Sequence, residues 1–353
     1  MTRADGQPEP LLLAASRDTR RIPGWLSISL RLVVSLGLLG ILLARVGRPM
    51  IQAAREISLV YVAAAFAVAI LGIFIGVWKW AMMLGRLGVR VGFGRLLRLY
   101  WIGLFYNNFL PSALGGDVVR IAASRLELGG HTMELAASTL GERVTGLLAL
   151  IVLAAGATAS VHLPGLTAAG RLMIAAAGVG LAALTTWLLL DPGLLHVSVS
   201  GDSFLARGTR QLQRLRQSLS ACTRGFSWFA ALMAISVLRQ GLLAAMVYLL
   251  SFAVGAAIPA GIFFVLVPVA CLVWMLPISV NGIGVREWSF VFLFGPFGVP
   301  QEEAVLMSLL TWAIMALATA PGGPIQLAAG RRSGVAAQAP AGGASDDAPR
   351  QAR

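Results

Sequence analysis

The chain is nearly devoid of lysine. Among its 353 residues there is one, Lys79, against 27 arginines, and there are only two cysteines, three histidines and 15 acidic residues. Charged residues make up 12% of the chain, about half the roughly 25% of an average soluble protein. So little polar surface cannot coat a water-soluble fold of this length, which excludes a soluble enzyme and a disordered protein. Two cysteines are too few for a secreted disulfide scaffold. Together, Cys222, Cys271, His131, His162 and His196 make no metal-ligand spacing. The only early apolar stretch, Leu11 to Ala15, is too short for a signal-peptide core, so no cleavable signal is expected.

What the sequence does have is hydrophobic length. Hydrophobic residues reach 58% of the chain, and several runs exceed the ~20 residues that carry a helix across bilayer hydrocarbon. Clear spans are expected at 25–44, 57–84, 134–159, 167–190, 226–255, 260–280 and 303–322. The net charge of +13 resides mostly between these runs. It reads as positive-inside topology and attraction to anionic headgroups rather than as a nucleic-acid surface. The segments 1–24, 85–98 and 191–224 and the tail from Arg331 are rich in arginine, whereas 160–170 and 256–259 have none. Both termini are therefore expected in the cytoplasm, with 45–56 (Arg45, Arg48, Arg55) dissenting. The domain reading is a polar tail over 1–24, a membrane domain over 25–325 and a disordered tail over 326–353. Leu205, Leu212, Leu215 and Leu219 recur at helical spacing among arginines, which suits either a helix lying on the inner leaflet or a solvated loop. Gly72 and Gly76 form a GxxxG pair that would admit a close helix neighbour. Arg31 and Lys79 are read as snorkelling to the interface.

Two apolar stretches are broken alike. The first carries Asn108, Pro111, Gly115, Gly116, Asp117 and Arg120; the second carries Pro277, Gly282, Gly284, Arg286 and Glu287. Proline removes a backbone donor and glycine permits turns other residues resist. Backbone opened in this way at membrane depth must face protein or a wet cavity. Charges there have the same need, since Arg or Asp at a helix centre costs roughly 2.5–3.5 kcal/mol on insertion scales. On the topology above, one break enters from the cytoplasm and the other from outside, the pattern of an inverted-repeat transporter with a midplane site. Glu142, Arg143 and Arg239 lie inside other spans and complete a set suited to a lipid phosphate. The alternative is that these acids and bases pair with one another as scaffold. The expected fold is an all-α integral membrane protein with about six full transmembrane helices and two broken helical hairpins in an inverted arrangement, either re-entrant or full span pairs.

The motifs NNFLPSALGGDVVRI, LGERVTGLLAL, PISVNGIGVREWSF and APGGPIQL, in this order, resemble the lysylphosphatidylglycerol synthase transmembrane-domain family over about 57–325. The resemblance implies a lipid flippase domain, here without the aminoacyltransferase domain of the fused members. By position it implicates Asn108, Pro111, Gly115, Gly116, Asp117, Arg120, Glu142, Arg143, Gly282, Gly284, Arg286, Glu287 and Pro321-Gly322-Gly323. The expected function is transport of a phospholipid or lipid-linked headgroup, anionic or zwitterionic, between leaflets of a bacterial cytoplasmic membrane. No cofactor, metal or nucleic acid is called for; a homo-oligomer or a lipid-synthesis partner enzyme is compatible with this reading. Two alternatives stand beside it: an accessory subunit of envelope lipid or glycan assembly, and an intramembrane lipid-modifying enzyme. The enzyme lacks a DxD pair, paired histidines or a Ser-His-Asp set in the sequence.

Overall fold

A computed structural model describes residues 24–109, 115–161, 167–190, 215, 217–256, 258–275 and 278–328. Pro111, Pro277, the Arg31 side chain, both tails and most of the basic segment 191–224 lie outside the described residues. Within them the chain is all helix and turn: α1 (Gly24–Arg55), α2 (Leu59–Arg86), α3 (Phe93–Phe109), α4 (Gly115–Leu128), α5 (Thr132–Ser160), α6 (Ala168–Leu190), α7 (Phe226–Val254), α8 (Ala260–Trp274), α9 (Val285–Phe294) and α10 (Gln301–Thr319). Five are long and apolar enough to cross a membrane, namely α1, α2, α5, α7 and α10 with its continuation to Ala328. α6, of 23 residues, is apolar as well and is the sixth expected span.

The broken stretches form two helical hairpins, α3–α4 and α8–α9. Their arms have 17, 14, 15 and 10 residues. At 1.5 Å per residue even the longest rises only about 25 Å, short of the ~30 Å of hydrocarbon. The stretch 260–280, read from sequence as a clear span, is therefore the first arm of the second hairpin.

The two hairpins enter from opposite faces. α2 and α7 pack together along their length and run antiparallel. The Ser58 amide, before α2, donates to the Ala253 carbonyl near the end of α7, and Arg86 at the far end of α2 reaches the Arg224 carbonyl before α7. Each hairpin follows directly on one of these helices, so the two start on opposite sides. Their tips meet in the middle, where Asn281 Nδ2 donates to the Asn108 carbonyl at 2.6 Å. The halves also keep a constant register. Gly116 and Arg120 recur as Gly282 and Arg286, 166 residues on. The starts of α2 and α3 recur at α7 and α8, and the end of α4 at the end of α9, within one residue of the same shift. The unit span–hairpin–span is thus present twice in inverted orientation.

Glycine is required where backbones touch. A side chain on Gly116 would run into the Gly103 carbonyl and Asn107, which hold α4 against α3. Gly284 has φ +81° and abuts Ser35 and Leu38 of α1, where Ser35 accepts the Val280 amide and the Leu38 carbonyl accepts the Trp288 indole. The GxxxG reading of α2 holds for one of its two residues: Gly76 lies against the Tyr100 ring, but Gly72 faces open space. Gly116→Val is expected to keep α4 from docking and to lower the monodisperse yield in detergent severalfold. Gly72→Ala should leave that yield unchanged; size-exclusion chromatography reads both.

Candidate functional site

One buried carboxylate gathers the site. Glu142, on α5, is 6% exposed. Its Oε1 accepts from the Tyr100 hydroxyl of α3 and from Arg239 Nη1 of α7 at 3.2 Å, and its Oε2 accepts from Arg120 Nη1 of α4 at 3.0 Å. Such charge-assisted bonds are what makes an ionised carboxylate tolerable at depth. Arg120 is held on its flat faces too, 4.7 Å from the Trp80 ring centre and 5.0 Å from that of Tyr100. Its Nη2 stands 3.8 Å from Asp117 Oδ1, and Arg143 Nε donates to Asp117 Oδ2. Glu142 and Arg143 are neighbours on a helix and so point about 100° apart; one enters the hub, the other turns to Asp117.

Lys79 overturns the snorkelling expectation. It is 1% exposed and donates from Nζ to Thr145 Oγ1 at 2.7 Å and to the Glu142 carbonyl at 3.4 Å. It lies seven residues before the end of α2, about 10 Å along the axis, and the hub offers it acceptors nearer than the interface does. The sequence reading also passed over Tyr100 and Gln240, and took Asn107 only as one of the residues that break the first apolar stretch. Tyr100 resembles an interface aromatic in sequence. Asn107 Oδ1 accepts the Gly116 amide at 3.1 Å, and Gln240 Nε2 donates to the Gly146 carbonyl at 3.3 Å.

The second hairpin carries its own pair. Arg286 Nη2 meets Glu287 Oε1 at 2.5 Å, and its Nε reaches Ser308 Oγ at 3.1 Å. Glu287 Oε2 accepts the Gly284 amide at 2.6 Å, closing the turn into α9. Asn108, besides its tip contact, donates to Thr319 Oγ1 at 2.6 Å. The closing Pro321-Gly322-Gly323 turn packs on Trp101 and Phe105 of α3.

Three cavities of about 190, 240 and 430 Å³ meet between the hairpins, and Asn107 and Gln240 line all three. Asp117, Arg120, Glu142, Arg143 and Arg239 border the first, and Arg143 and Arg286 the largest. Asn108, Asp117, Arg120, Glu142, Arg143, Arg239 and Arg286 therefore line adjoining cavities, whereas Glu287 lines none of the three. Around the hub, three guanidiniums face two carboxylates, so positive charge is in excess even before the Lys79 ammonium is counted. Arg239 and Arg143 keep 32% and 27% of their side chains accessible, against 5% for Arg120. They are the cations a ligand can reach.

The family model described as lysylphosphatidylglycerol synthase TM region matches residues 28–322, nearly the whole chain. No curated protein matches it.

The Asp117–Arg143 pair has a direct test. Asp117→Asn strands a guanidinium, and losing one member of a largely buried pair costs about 3 kcal/mol or more. Either Asp117→Asn or Arg143→Gln is expected to lower thermal stability in detergent, and the double change to recover much of the loss. A double variant no more stable than the singles would mean that the pair contributes no coupling.

Proposed function

The chain belongs to the lysylphosphatidylglycerol synthase TM-region family, a membrane family of lipid-related function, and from that premise we propose that it moves a phosphate-bearing lipid headgroup between leaflets. The observation that carries this reading is the group of adjoining cavities between two opposed hairpin tips, bordered by charged and amide side chains with positive charge in excess. A guanidinium fork matches phosphate oxygens in pairs. Arg239 and Arg143 would take the phosphate, Arg239 exchanging its bond to Glu142 for one to the ligand. Arg120 and Glu142 hold the cavity wall in place, and Asn107, Asn108 and Gln240 offer uncharged polar contacts along the way. The acyl chains stay in lipid while the headgroup passes, since only the headgroup needs a polar path.

In this reading the membrane is the bacterial cytoplasmic membrane with both termini inside. α1 ends beside Ser58, which bonds the end of α7, and α10 starts from that same face once the second hairpin has returned to it, so this reading brings the start of α1 and the end of α10 together on the other face. The arginine-rich segments support assigning that face to the cytoplasm. Reporter fusions after Arg21, near Gly165, near Ala257 and after Arg332 are expected to read in, out, out, in.

Purified protein in liposomes tests the activity, with fluorescent phospholipids and dithionite quenching of the outer leaflet. Wild-type protein should exchange lipid between leaflets without altering it. Arg239→Ala should slow exchange at least tenfold, and Arg239→Lys should retain part of the rate, keeping the charge but losing the planar fork. Product formation instead would make the protein an enzyme, and neither exchange nor product would favour the accessory-subunit role.

A further inference from the structure

The largest of the three cavities differs in chemistry from the charged hub beside it. Its volume of about 430 Å³ is within the roughly 300–1,000 Å³ of small-molecule sites. Its uncharged polar lining comes from Asn107, Asn108, Gln240, Ser279, Asn281 and Thr311; Trp274 and Trp312 with leucine, methionine and cysteine side chains are apolar, and apolar surface makes up most of the lining. Its charged groups are the guanidiniums of Arg143 and Arg286. No carboxylate lines it among the described residues.

Two donors here are unused. Ser279 is 7% exposed and its hydroxyl has no hydrogen-bond partner, an expensive state for a buried polar group. Arg286 spends Nε and Nη2 on Glu287 and Ser308, leaving Nη1 with no bond to the described protein. Acceptors are present as well. Asn281 commits its amide nitrogen to the Asn108 carbonyl, which leaves its Oδ1, and Thr311 donates to the Met307 carbonyl, which leaves its lone pairs. A lining that both donates and accepts suits hydroxyl groups, which do both. An ammonium only donates, and among the lining residues it would meet two guanidiniums, already paired with Asp117 and Glu287, and no carboxylate of its own.

We propose that this chamber receives an uncharged polyhydroxyl group, a glycerol or a sugar, carried on the phosphate that the proposed function places at Arg143 and Arg239. Arg143 borders both the first cavity and this one, so a phosphate held there has its substituent at the chamber mouth. The proposal rests on that phosphate reading and narrows it. The aminoacylated, cationic headgroup implied by the family description is disfavoured by the same lining.

The test compares leaflet exchange of phosphatidylglycerol and lysylphosphatidylglycerol in proteoliposomes of the full chain. Exchange of phosphatidylglycerol at least tenfold faster is the expected result. Asn281→Asp, isosteric and adding one carboxylate to the lining, should cut that ratio severalfold. Equal rates, or a preference for the lysyl lipid, would overturn the proposal while leaving lipid transfer intact. If no phospholipid is exchanged, the transport reading falls and binding alone decides. In detergent, tryptophan fluorescence titrated with glycerol phosphate and with inorganic phosphate should then show at least tenfold tighter binding of glycerol phosphate, a margin lost in Ser279→Ala. That outcome would assign the chamber to a free phosphorylated polyol. Equal binding of the two anions would overturn the proposal.

Discussion

A carboxylate at membrane depth organises this molecule. Glu142 cannot be ionised there unless its oxygens are satisfied, and its partners come from elsewhere: Tyr100 on α3, Arg120 on α4 and Arg239 on α7. Lys79 on α2 adds a bond to its backbone carbonyl. One residue on α5 thereby ties together four other helices, including both arms of the first hairpin and a span of the second half. Arginine at the centre of the hub is itself supported by two aromatic faces, so the constraint extends to the packing of Trp80 and Tyr100, both fully buried. In lipid, apolar surface alone gives little reason for helices to associate in one arrangement. Polar groups with only one satisfactory set of partners supply that reason.

The repeated register makes the two halves comparable, and the comparison shows where they diverge. The position of Glu142 is occupied in the second half by Ser308, while Thr145 recurs as Thr311 with the same bond to the carbonyl four residues back. The hairpin arginine bonds to that position in both halves, Arg120 to Glu142 and Arg286 to Ser308. In the second half the acid has moved next to the arginine, as Glu287, and compensates it locally. The arginine of the second hairpin is thus neutralised within its own hairpin, whereas that of the first shares its carboxylate with Arg239 from the second half, although the backbones match. A ligand between the tips meets a charged wall on one side and a neutral hydrogen-bonding wall on the other.

Much of this was legible in the sequence, for physical reasons. The long spans announce themselves by hydropathy, and the hairpins by proline and glycine in apolar runs, because few other residues permit a chain reversal at depth. Charged residues inside spans marked the site for the same reason. Other features needed tertiary structure. Lys79 looks like a snorkelling residue until Thr145 and Glu142 are seen within reach. Ser279 and Asn281 look like turn chemistry, and only their surroundings show that one has no partner and the other joins the tips. Tyr100 cannot be told from an interface aromatic by its neighbours in the chain. The length of 260–280 suggested a span, since continuous hydropathy does not show where a helix stops.

Any passage between the hairpins must loosen what joins them. Among the described residues the polar ties across the two halves are few: Ser58 to the Ala253 carbonyl and Arg86 to the Arg224 carbonyl at the faces, and between them Arg239 to Glu142, Gln240 to the Gly146 carbonyl, Asn281 to the Asn108 carbonyl, Asn108 to Thr319 and Trp101 to the Ala318 carbonyl. A neutral hydrogen bond is worth about 0.5–1.5 kcal/mol net and one to a charged group about 1.5–3. Relative sliding of the remaining apolar contacts exchanges protein for lipid tails at little hydrophobic cost. In the proposed transport a phosphate arriving at Arg239 would replace the carboxylate of Glu142 with another oxyanion, so the strongest tie would be traded rather than lost. Tyr100 and Arg120 still satisfy Glu142 while it is traded, which is why a hub with three donors, and not one, can let a ligand in without stranding a buried charge.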